Sequence, residues 1–115
     1  MDTSTLLSAN QSNDYHTLKK DAGKDRWDLL PTGAIRMIVR VLGFGAKKYA
    51  ARSWMQVPEA RDRYYAAALR HITAWWDGER YDPESGLHHL GHALCCLVFL
   101  YELDPKDDHA HTDIP

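Results

Sequence analysis

The sequence holds only two cysteines, the neighbours Cys95 and Cys96. Adjacent cysteines rarely bridge each other, because one trans peptide does not easily give the separation and orientation that a disulfide needs. Both stand in an apolar run, so the expectation is buried, reduced thiols in a reducing compartment. No run of about 20 apolar residues occurs, which argues against a membrane-spanning helix. Met1 to Asp14 is polar and has no apolar core behind a basic start, so a secretory signal is not expected and a cytoplasmic location is. Charge of one sign is lacking as well. Fourteen Lys and Arg against 16 Asp and Glu leave a formal net charge of −2, so no strong field draws in nucleic acid or an anionic membrane. Several familiar motifs are missing. Gly23-Lys24 lacks the glycine-rich approach of a P-loop. There is no GxSxG elbow or HExxH zinc motif, and no His-Asp dipeptide of the common helical metal phosphohydrolases.

What is present reads as all-α, in one domain of 115 residues. Residues 1–15 are polar and aperiodic and are expected to be a flexible arm. Residues 16–103 form a single helical domain, and 104–115 a polar tail. A first helix is expected after Pro31, with Thr32 as N-cap and an apolar stripe of Ile35, Ile38, Val39, Leu42 and Ala46. Gly43 and Gly45 are expected to kink or end it. A second helix runs from about Pro58 to Asp77 and stops at Gly78. One stripe carries Tyr64, Ala68, His71 and Trp75, and the stripe beside it Tyr65, Leu69, Ile72 and Trp76. A third covers about Leu87 to Leu103 and is apolar around most of its circumference. Such a helix sits at the centre of a bundle or at a contact between copies. The expected whole is a small bundle of three main helices that oligomerises through apolar helix faces, as a dimer or tetramer.

The anomaly is polar residues inside apolar helices. His89, His92 and Cys96, at i, i+3 and i+7, share a face of the third helix, and His71 lies on the inward stripe of the second. The loop between these helices supplies Glu79, Asp82 and Glu84, and a helical hairpin brings all of them to one end. The carboxylates suit Mg or Mn, and imidazoles shift the preference toward Mn, Co, Zn or Ni. Lys24, Lys47, Lys48 and Arg70 are candidate phosphate ligands, and Trp27 and Trp54 candidate platforms for a nucleobase. Each has a plainer alternative: hydrogen-bonded core histidines, solvated surface charges and aromatic core plugs. His88 is expected to be a solvated neighbour. His109 and His111 fall in the tail.

The segments DAGKDRWDLLP, VLGFGAKKYAARSW and YYAAALRHITAWWDGERYDPESGLHHLGHALCCLVFL together resemble the phage-type dATP/dGTP diphosphohydrolases (MazZ-like), over about residues 19–102. That family is similar to the all-α nucleoside triphosphate pyrophosphatases of the MazG type. The resemblance implies a helical oligomer with a divalent metal site on two helices. It implies cleavage of a purine deoxynucleoside triphosphate to monophosphate and pyrophosphate, serving nucleotide-pool control in a phage or prophage. MazG-type enzymes carry ExxE on one helix and ExxD on the next. Here the third helix offers His89-Leu90-Gly91-His92 instead. Either histidines replace acids as ligands, or the acids come from the loop. The expected ligands are therefore Glu79, Asp82, Glu84, His89 and His92, with His71 added to Glu79 and Asp82 for the chemistry itself. The competing expectations are a non-catalytic interaction module, or hydrolysis of a different phosphate ester.

Overall fold

The computed structural model describes residues 19–105. The expected arm at 1–15 and the pair His109 and His111 lie outside the described residues. Three α-helices follow in order: α1, Thr32–Lys48; α2, Ala60–Trp76; and α3, His89–Leu103. Single 3-10 turns at Trp27–Leu29 and Ser53–Gln56 precede α1 and α2. No strand is formed among the described residues, only an isolated antiparallel bridge between Tyr81 and His88.

The helix ends follow local chemistry. Pro31, not Thr32, takes the N-cap position of α1, so Thr32 is already helical. Gly43 and Gly45 neither kink nor end α1; it continues to Lys48, and the Tyr49 N–H donates to the Gly45 carbonyl at 2.9 Å. Each glycine costs about 1 kcal/mol against alanine, and packing of the flanking Val41 and Phe44 offsets it. At the end of α2 the Gly78 N–H donates to the Trp75 carbonyl and the Glu79 N–H to the Ala74 carbonyl, at 3.0 and 2.9 Å. This double closure needs a left-handed residue, which Gly78 supplies at φ 108°. It stops α2 abruptly and fixes the direction in which Glu79 leaves. His88 caps α3: its Nδ1 accepts from the Leu90 N–H at 3.0 Å, and its ring meets Tyr81 edge-on. It is a half-buried capping residue, not a solvated neighbour.

Helix α3 is central. It packs most extensively on α2, then on α1, and touches the Ser53–Gln56 turn. The buried positions are His89, Gly91, Ala93, Cys95 and Cys96 of α3, with Val41 of α1 and Ala68 of α2. Burial pushes the Cys95 and Cys96 thiols up to about 12 and about 11, so both are inert packing groups. The inward side of α1 is Ala34, Met37, Ile38, Val41 and Phe44, whereas Ile35, Val39, Leu42 and Ala46 of the expected stripe face outward. The reason is Gly91: a Cβ there would collide with the Met37 side chain and touch Val41 Cγ2 at 3.5 Å, so only glycine lets α1 nest this closely. On α2, the stripe of Tyr65, Leu69, Ile72 and Trp76 is exposed.

Candidate metal centre

Five side chains from the C-terminal half of α2, the loop and the first turn of α3 converge at one end of the hairpin. His71 comes from α2, His89 and His92 from α3, and Asp82 and Glu79 from the loop. The loop is closed by its own polar groups. The Asp82 N–H donates to the Leu87 carbonyl at 2.8 Å, and the Gly86 N–H to the Asp82 carbonyl at 2.7 Å, with Gly86 at φ 73°. The Asp82 carboxylate accepts from the Ser85 N–H at 3.0 Å, an Asx turn. The His89 N–H donates to the Arg80 carbonyl at 3.0 Å, which ties the loop to α3.

His71, Asp82 and His89 each offer one donor atom, and these atoms lie within 4.8 Å of one another. The Nδ1 atoms of His71 and His89 are 2.9 Å apart. Two nitrogens each about 2.1 Å from one ion stand about 3.0 Å apart at an octahedral right angle and about 3.4 Å apart at the tetrahedral angle, so shared coordination needs the rings to part by no more than about 0.5 Å. Behind His89, its Nε2–H donates to Glu79 Oε1 at 2.7 Å. A carboxylate that accepts only fixes the tautomer, leaving Nδ1 as the lone pair that faces His71. His92 completes the group. Its ring stacks on His71 at 4.6 Å between centroids and meets Phe44 edge-on at 6.1 Å. Its Nε2 lies 2.6 Å from the Ser85 hydroxyl and 3.8 Å from Asp82 Oδ2.

The electrostatics leave these groups in the protonation states a cation requires. Burial lowers His71 to about 4, and the neighbouring His92, His89 and Arg70 act in the same direction against Asp82. Burial also lowers His92, partly offset by Asp82. Burial pushes Asp82 up, but hydrogen bonds from Ser85 and the nearby His92 and His71 hold it below the usual carboxylate range. At neutral pH His71 and His92 are therefore neutral imidazoles beside an ionised Asp82. The donor set fits a divalent ion of mixed nitrogen and oxygen preference.

The other expected residues are placed as follows. Glu84 is exposed and ion-paired with Lys48, outside the three-donor group. Lys48, in the last turn of α1, has its pKa raised by Glu84 and then by Tyr49. Lys47 is exposed beside it, and Arg70 is exposed on α2 next to His71. Trp54 is not brought to the imidazoles. It stacks on Phe99 at 4.7 Å, and its carbonyl accepts from the Tyr64 hydroxyl at 3.2 Å. Phe99 lies ten positions along α3 from His89, about 15 Å at the helical rise. Trp27 is 81% exposed at the start of its 3-10 turn, and Lys24 is exposed in the preceding turn. Cys96 is buried and stays out of the cluster. Ser85 and Phe44 were not foreseen as neighbours of the cluster. Ser85 carries a sequence signal, an Asp three residues before it in a Pro/Gly turn; Phe44 carries none.

The profile described as dATP/dGTP diphosphohydrolase, N-terminal, matches residues 14–112. The chain belongs to this family. A dATP/dGTP diphosphohydrolase of Salmonella phage PMBT28 is 31% identical over 86 residues, covering 75% of this chain and 29% of that relative. The chain thus spans less than a third of the relative's length. No solved structure matches it. Within this diphosphohydrolase family chain, no helix among the described residues is long and apolar enough to cross a membrane.

Proposed function

We propose that this chain takes part in metal-dependent hydrolysis of a purine deoxynucleoside triphosphate, dATP or dGTP, to the monophosphate and pyrophosphate. The observation that carries it is the three-donor group of His71, Asp82 and His89, backed by Glu79, in a chain of the dATP/dGTP diphosphohydrolase N-terminal family. His71, Asp82 and His89 would hold a divalent ion, with His92 beside them. Two imidazoles favour Mn, Co, Ni or Zn over Mg. Such an ion, when bound, polarises a phosphoryl group and lowers the pKa of water. The protein's own part is to keep His71 and His92 neutral, to orient His89 through Glu79, and to hold Lys48 and Arg70 near the imidazoles as counter-charges to phosphates. The setting is control of the purine deoxynucleotide pool in the cytoplasm, the host's in the case of a phage-encoded chain.

We further read the exposed stripes of α1 and α2 as contacts between copies. Few of the described residues are fully buried, so their core is small, and association extends it.

The test is incubation with dATP, dGTP and the pyrimidine triphosphates plus Mg, Mn, Co, Ni or Zn, followed by separate detection of pyrophosphate and inorganic phosphate. Pyrophosphate from the purine substrates is expected, with loss of at least about a hundredfold in His89→Ala. Inorganic phosphate as the product would favour a different phosphate ester, and silence across the panel a binding module.

A further inference from the structure

The Lys48–Glu84 pair differs from the exposed Arg26–Asp28 pair, which joins residues two apart. It links the last turn of α1 to the loop that carries Asp82 and Ser85. Its two side chains are 37% and 58% exposed. The Lys48 ammonium also lies over two rings, 6.0 Å from the centre of Phe44 and 5.1 Å from that of Tyr49. Phe44 in turn meets His92 edge-on, and the residue after Glu84 is the serine whose hydroxyl lies 2.6 Å from His92. The ammonium is therefore held by aromatic faces at the lip of the imidazole cluster, with a carboxylate as its partner. Exposed pairs of this kind contribute little to stability, and the loop is already closed by its own backbone bonds. A carboxylate and a phosphate offer lysine the same thing, a compact anion that accepts charge-assisted hydrogen bonds.

We propose that Glu84 sits in the seat of a substrate phosphate, neutralising Lys48 until a polyphosphate displaces it. The inference rests on the preceding assignment of a nucleoside triphosphate to this end of the hairpin, and adds an internal competitor to it. Displacement makes and breaks no covalent bond. It lowers apparent affinity by the fraction of chains whose Lys48 is occupied. Glu84 thus tunes how much substrate the protein needs before it binds.

The test is calorimetric titration of the full chain with inorganic tripolyphosphate, without divalent ion, alongside KM for dGTP and dATP with Mn. Glu84→Gln keeps the side chain's shape and removes its charge. It is expected to tighten tripolyphosphate and lower KM by about threefold, the size of one exposed pair. Lys48→Gln is expected to weaken binding by about tenfold. Adding Glu84→Gln to Lys48→Gln should give no gain, since the contested cation is gone. Unchanged melting temperatures establish that all three variants fold. The seat is overturned by unaltered affinity in Glu84→Gln, by an equal gain with and without Lys48, or by no tripolyphosphate binding in the parent chain. Hydrolysis that persists without coupling sinks the seat alone. Coupling that holds in a chain hydrolysing no deoxynucleotide supports the seat and sinks the proposed reaction.

Discussion

His89 is engaged at both ring nitrogens, by Glu79 on one side and His71 on the other. That makes Glu79 a positioning residue whose loss should be read in metal affinity. Glu79→Gln is expected to weaken Mn or Zn binding by about tenfold while the melting temperature moves little. Equal affinity in the variant would remove Glu79 from the site. His71 gives a pH dependence. Its folded value of about 4 lies below the ordinary 6.5, so the unfolded chain takes up the proton first. Stability without metal is therefore full above pH 6.5 and declines as pH falls toward 4. His92 acts in the same direction, and Asp82, held below its ordinary value, adds a loss at still lower pH. Melting curves in chelator across this range check it, and His71→Gln should flatten the slope. A melting temperature that rises on acidification would contradict neutral imidazoles.

At the scale of elements, Gly91 decides how α1 meets α3. Gly91→Ala is expected to cost about 1–3 kcal/mol through overlap with Met37, and adding Met37→Ala should recover part of the lost melting temperature. The existence of all three helices was legible, because 3.6-residue periodicity and the Gly78 stop are local signals. The inward face of α1 was not. Apolar residues lie on more than one of its sides, and the choice falls to Met37 and Val41 by fit against a bare glycine in another helix. Hydrophobicity alone carries no information about that fit. The hairpin placement of His71, His89 and the loop acids was legible from spacing. Which acid faces the donor group and which stands behind an imidazole depended on the Asp82 turn and the Gly78 closure. The sequence left Trp54 open between base platform and core plug, because an aromatic in a loop looks the same whether it awaits a base or stacks on Phe99.

The whole molecule leaves much apolar surface in water. Tyr65 is 60%, Leu69 44%, Ile72 37% and Trp76 78% exposed along α2, and Val39 is 60% exposed on α1. Surfaces of this kind mark contacts. Sedimentation of the parent chain is expected to show concentration-dependent association, and Leu69→Glu with Ile72→Glu should shift it toward monomer. A monomer at all concentrations, unaltered by these changes, would leave the α2 face to some other partner.

The loop that Asp82 and Ser85 close on themselves has a consequence for assembly. Every donor, from His71 to His92, comes from one short stretch of chain, and closing so short a loop costs little entropy. The hairpin can set its ligands before α1 docks, because the contacts involved are near in sequence. A divalent ion would then clip the mouth of the hairpin shut. Its addition should slow amide hydrogen exchange where α2 passes into α3, and leave the first turns of α1 exchanging as before.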